Sequence, residues 1–140
     1  MYRYLSFLFF LIGINSCTSS SSEPVLPQSE LIQYIDYKKP DSKKKWGNYS
    51  VDILYTGEIT YSKLYDVALL FDFAFPERVV VRVWSSTSAY HKNRRQEFDQ
   101  EFKSGFLIYY SKNVSNDYNA IKWMQESGQL SAFFGTRTDI

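Results

Sequence analysis

The residues able to do chemistry by themselves are few in this chain: one cysteine, Cys17, one histidine, His91, and a scatter of carboxylates. A catalytic histidine needs a carboxylate or carbonyl to orient it and a nucleophile to serve. In "AYHKNRRQEFDQEF", His91 instead has Lys92, Arg94 and Arg95 beside it, neighbours that disfavour the imidazolium. One histidine, no second thiol and no Asp-x-Asp-x-Asp loop leave no zinc-type or calcium-type ligand set. A glycine-rich phosphate cradle and a Gly-x-Ser-x-Gly elbow are also missing. Read on one extended strand, Asp66 and Asp72 stand about 20 Å apart, too far for the roughly 5 to 9.5 Å of a glycosidase pair. The sequence therefore nominates no catalytic residue, no metal ligand and no cofactor, and it favours binding over catalysis.

Cys17 has a different setting. It sits in "INSCTSSSSEP", after a stretch from Tyr4 to Ile14 that is almost wholly apolar and follows Arg3. Such a stretch is too short for the roughly 20 residues of a membrane-spanning helix. It suits the core of a signal peptide, about 7 to 15 residues long. With Ile14 three positions before the cysteine and Ser16 one before it, the segment resembles the signal peptide of bacterial lipoproteins. That resemblance covers residues 1–17 only. It implies a cleaved leader, 1–16, and acyl chains joined through the sulfur of Cys17, each buried methylene adding about 0.8 kcal/mol to membrane retention. By the same resemblance, to Gram-negative lipoproteins, Thr18 rather than Asp after the cysteine implies export to the outer membrane of a bacterial envelope, facing the periplasm. Ser19 to Ser22, Glu23, Pro24 and Pro27 then read as a polar tether, so that residues 17–29 form anchor and linker and 30–140 the domain.

Two exclusions follow. Without Cys17 the domain has no thiol, so its stability comes from burial and backbone pairing and not from disulfides. Lys and Arg number 16 against 15 Asp and Glu, and removing Arg3 with the leader balances them, which is not the footprint of a nucleic-acid binder.

The elements that must position any site are written in aromatic alternation: 12 Tyr, 11 Phe and 3 Trp. "YDVALLFDFAF" (65–75) alternates Tyr65, Val67, Leu69, Phe71, Phe73 and Phe75 on one face, and Pro76 and Glu77 then mark a turn into "RVVVRVW" (78–84). The pair reads as a central antiparallel hairpin. "YSVDILYT" (49–56) is a further strand, Gly57 a bend into a short strand in "EITYS", and "GFLIYYS" and "QLSAFF" are strand candidates. "SELIQYIDYKK" fits either period and leans to helix through Pro27 and Ser29. Helices are expected over 86–103, with Thr87 or Ser88 as cap and Tyr90, Phe98 and Phe102 on one stripe, and over 115–127, stopped by Gly128. The sum is an α+β fold: one small domain with an antiparallel sheet of about five strands and two or three helices.

Binding residues are sought among the aromatics and cations. Tyr37 and Trp46 bracket the lysine-rich "KKPDSKKK", and Lys92, Arg94 and Arg95 form a second basic group; with Tyr61 these are the candidates for an interface. Tyr65, Tyr109, Tyr110 and Tyr118 are the other aromatics in surplus of a small core. The expected role is a non-enzymatic module that binds a protein in the envelope, of the inhibitor or immunity type. The alternative is an accessory subunit of a secretion, conjugation or surface apparatus, or a glycan-binding module. The anchor has a direct check: metabolic labelling with palmitate marks the wild type and leaves Cys17→Ser unlabelled, and equal labelling of both would remove the lipid from Cys17.

Overall fold

A helix of 14 residues decides how this chain is laid out. In the computed structural model, which describes residues 23–44, 47–124 and, for the backbone alone, 130–135, the segment Tyr61–Ala74 is helix α1 and not a strand. Leu64, Val67, Ala68 and Phe71 are its buried residues, the spacing of one helical stripe. Thr60 caps it, its Oγ1 accepting from the Lys63 amide. From Leu64 to Ala74 the segment is polar only at Asp66 and Asp72, so a period of two and a period of 3.6 both find matches in it. Topology breaks the tie. The flanking strands β2 (Tyr49–Tyr55) and β3 (Arg78–Trp84) run parallel, Asp52 beside Arg82 and Ile53 beside Val83. Parallel neighbours need a long crossover, which a two-residue turn at Pro76 and Glu77 cannot supply.

Three other expectations change. Ile32–Lys38 is a strand, β1, and not a helix; it pairs antiparallel with β2 through a bulge between Tyr34 and Asp36 that interrupts its alternation. The short strand expected in "EITYS" is instead a loop over 58–60 followed by the first two residues of α1. The helix expected over 115–127 is β5 (Tyr118–Met124): a 3₁₀ turn, Val114–Asn116, and Asp117 at φ 52 fold the chain back onto β4 (Phe106–Asn113). Gly128 lies outside the described residues.

The helix over 86–103 forms in two pieces, α2 (Thr87–Arg95) and α3 (Gln100–Gly105). Gln96, at φ 62, ends the first, and Asp99 caps the second by accepting from the Phe102 amide. Ser86, one residue before the expected caps, accepts from the Ala89 amide. The two helices meet closely at Gly105, where an added Cβ would lie 2.2 Å from the Ala89 Cβ.

The architecture is α+β in one small domain. Its sheet has six strands rather than about five, in the order β1-β2-β3-β4-β5-β6, with β6 (Leu130–Gly135) where "QLSAFF" was expected; every neighbouring pair but β2 and β3 is antiparallel. The face under α1 carries the main core: Val51, Ile53, Val79, Val81, Val83, Ile108 and Tyr110 have no exposed surface. On the opposite face α2 and α3 close over Trp84, with Tyr90 and Phe102 buried and Phe106 stacked on the indole at 4.4 Å. Residues 23–28 lie along the α1 face: Glu23 pairs with Lys39 at 2.6 Å, Leu26 packs on the core, and Tyr34 donates to the Pro27 carbonyl at 2.5 Å. Burial pushes the Tyr34 hydroxyl up to about 12.

One polar knot ties α1 to the sheet. The Asp72 carboxylate accepts from Tyr110 Oη at 2.8 Å and from Asn119 Nδ2 at 3.2 Å, and Lys112 Nζ lies 2.7 Å from it while also donating to the Asp72 carbonyl at 2.8 Å. Burial alone would raise the Asp72 pKa, but the bonds from Lys112, Tyr110 and Asn119 and the Lys112 charge outweigh it and hold it below 3.8. A carboxyl depressed on folding contributes stability that is fully present above its unfolded value and is lost as pH falls through its folded one. Asp72→Asn is therefore expected to unfold more easily than the wild type at neutral pH, with the gap narrowing as pH falls below 3.8. Denaturant titrations across that range check this, and a gap independent of pH would assign the loss to packing.

Candidate functional site

Where α2 and α3 stop, their side of the sheet is left half-covered. One transverse row crosses four strands there: Asp52 on β2, Arg82 on β3, Tyr109 on β4 and Lys122 on β5 are successive register partners. Ser50, Val80 and Ser111 form the next row and are also half-buried. The alternation that sends Val51, Ile53, Val81 and Val83 to the core necessarily sends Asp52 and Arg82 to this face.

Arg82 is fixed before any partner arrives. Its Nε donates to Asp52 Oδ1 at 2.7 Å, and its Nη2 donates to Asp52 Oδ2 at 2.6 Å and to Ser50 Oγ at 2.8 Å. Trp84 Nε1 adds a bond to Asp52 Oδ1 at 2.9 Å, so a carboxylate with only 4% of its side chain exposed has three donors. The Asp52 bonds raise the Arg82 pKa further. Arg82 keeps 27% of its side chain exposed, and among the described residues no hydrogen bond uses its Nη1 group. Two N–H donors on a rigid guanidinium are therefore available to an acceptor outside. Lys122 Nζ lies 5.9 Å from the centre of the Tyr109 ring, which keeps that ring beside two cations.

Of the binding candidates nominated from sequence, the described ones, Tyr37, Tyr61, Lys92, Arg94 and Arg95, lie outside this row. Tyr37 is half-buried on the α1 side, stacked on Tyr49 at 6.2 Å. Tyr61 opens α1, its ring 5.6 Å from Trp123 and 5.8 Å from Tyr65. Cys17 and Trp46 lie outside the described residues. The three cations of α2 are each matched by a carboxylate: Lys92 with Asp99 and with Glu101 at 3.1 Å, Arg94 with Asp36 at 3.5 Å, and Arg95 in a fork to Glu97 with both bonds at 2.9 Å. The break at Gln96 makes the Lys92 and Arg95 pairs, bringing the acids of the 97–101 segment back onto α2, while Arg94 reaches Asp36 on β1. His91 is exposed, its ring against Tyr90.

No family model, curated protein or solved structure matches this chain.

Among the described residues no group of three or more His, Cys, Asp and Glu is placed to hold a metal ion. Of the aromatics singled out from sequence, Tyr110 is buried in the Asp72 knot and Tyr109 stands on the half-open face. Asp52 and Arg82 were missed, although the signal was there: one acid inside "VDI" and one cation inside "VRV", each flanked on both sides by apolar residues. Arg82→Met would leave Asp52 buried and short of its counter-charge, a loss of about 3 kcal/mol. Adding Asp52→Asn removes the stranded charge and keeps an acceptor for Trp84, so the double variant is expected to regain most of that stability. Thermal unfolding of the two variants checks it, and equal midpoints would show that the stranded charge is not the source of the loss.

Proposed function

We propose that this protein is a non-enzymatic binding module of the bacterial envelope, held to the membrane through Cys17, and that the half-open sheet face receives another protein, as an inhibitor or immunity protein would. The supporting observation is the prefixed Arg82. Its aim is set by Asp52 and Ser50, two of its donors are unspent, and Tyr109 stands next to it in the row. Arginine and tyrosine are the residue types that dominate interface energetics, because they combine directional hydrogen bonds with a large rigid contact area. An arginine already locked in place also forfeits little side-chain entropy on binding.

The chemistry selects a partner that offers an acceptor pair, a carboxylate or a run of carbonyls, over Arg82, flanked by a surface able to cover Tyr109. The α2 cations do not serve this reading, since each has a carboxylate of its own. Tyr109→Ala, on the solvent side of β4 and outside the Asp52 cluster, is expected to weaken the partner by roughly 30-fold, the equivalent of about 2 kcal/mol at a hot spot. The check is a stoichiometric complex isolated from envelope extract and titrated with both forms. Unchanged affinity, or no complex under any condition, would defeat the proposal.

A further inference from the structure

On the opposite side of the molecule the surface is apolar. The Phe73 ring on the last turn of α1 is 92% exposed, Val25 is 82% exposed and Leu70 44% exposed. With Leu26, Ala74 and Pro76 they line an open groove of about 580 Å³ between α1 and residues 23–28. Single exposed apolar side chains are ordinary, but a joined set with a protruding phenyl ring marks a surface that is covered in use.

What covers it is indicated by the course of the chain. β1 ends at Lys38, β2 and β3 begin at Tyr49 and Arg78, and α1 ends at Ala74, so these termini share one end of the sheet. The Glu23–Lys39 ion pair pins the incoming segment at that end, and Lys43 and Lys44 are exposed in the loop beyond it. Glu23 is six residues from Cys17, and six residues reach at most about 20 Å. A domain tethered so closely cannot turn this end far from the bilayer in which its anchor sits.

We infer that the Phe73–Val25 groove is a membrane-docking surface: Phe73 and Val25 enter the boundary between headgroups and acyl chains, and Lys43 and Lys44 of the loop after β1 face anionic headgroups. This rests on the lipid anchor proposed above. It assigns a second, weak attachment that orients the domain, placing the Arg82 face, which lies on the other side of the sheet, away from the membrane. Interfacial burial of this kind reaches about 5 to 10 Å and strengthens on anionic lipid.

Because the acylated Cys17 sulfur takes no thiol reagent, an introduced cysteine is labelled alone. The full chain, purified with its lipid, carries an environment-sensitive fluorophore at Phe73→Cys or, as a control on α3, at Ser104→Cys, and is reconstituted in vesicles of phosphatidylethanolamine and phosphatidylglycerol. Bilayer-borne nitroxide lipids are expected to quench the probe at 73 by roughly half or more, the depth being that of an interfacial side chain, and to leave the probe at 104 unchanged. Replacing phosphatidylglycerol by phosphatidylcholine is expected to reduce the quenching at 73 while the vesicles still float the protein. Floating protein with probes at 73 and 104 equally unquenched overturns the docking surface and leaves the anchor standing. Protein that fails to float and takes label at Cys17 overturns the anchor, and the docking surface with it. A probe at 73 that is shielded only when protein concentration rises, or only when a protein partner is added, also overturns membrane docking, in favour of a second copy or of that partner.

Discussion

The parallel pairing of β2 and β3 constrains nearly everything else in this domain. Two parallel neighbours cannot be joined by a tight turn, so the 22 residues between Tyr55 and Arg78 must travel back along the sheet, and α1 is how they do so. Once α1 lies on one face, the valines and isoleucines of β2 and β3 have a partner and the opposite sides of the same strands do not. That is why the core is lopsided, with a large aliphatic and aromatic cluster under α1 and a small one around Trp84. The parallel register also sets Asp52 directly beside Arg82. A shift of one residue would place each of them in the valine core, where neither charge could be solvated. The ion pair and the hydrophobic core therefore specify the same alignment.

Much of this was legible from sequence, but unevenly. β2 and β3 carry clean alternation with one side apolar, and their positions follow from it. α1 does not, because Leu69, Leu70 and Phe73 fill positions that a helix of ordinary pattern would leave polar. The excess that hides the period is the same excess that appears as the exposed Phe73. β1 conceals its alternation behind a bulge, which moves Asp36 out of phase with Tyr34. β5 was mistaken for a helix because Ile121 and Met124 are also three apart, and only the return of the chain after Asp117, a tertiary event, separates the two. The site was harder still. Cations were sought where they cluster, at Lys92, Arg94 and Arg95, and clustered charges on a helix find partners close by. The arginine with donors to spare among the described residues, Arg82, stands between two valines in the middle of a strand.

Polar chemistry is used inside this domain as structure. Asp72, Tyr110, Lys112 and Asn119 form a joint between the last turn of α1 and two strands, with Lys112 only 2% exposed. Asp36 holds α2 to the edge of the sheet through Arg94 and Tyr90. Such contacts are directional where apolar packing is not, and they fix the angle at which a helix lies on a pleated surface. With both helical layers fixed in this way, the two sides of the sheet can carry different surfaces, one apolar along α1 and the other polar around Arg82.

The bulge in β1 has a consequence beyond its own strand. An outermost strand presents unpaired amides and carbonyls, and a flat regular one invites a neighbouring molecule to add a strand and begin a fibre. The irregularity between Tyr34 and Asp36, together with the Asp36 and Lys38 charges, breaks the even ladder that such stacking requires. In a chain this rich in tyrosine and phenylalanine, an even free edge would favour pairing between copies. The kink makes this border of the sheet a poor template for a further strand.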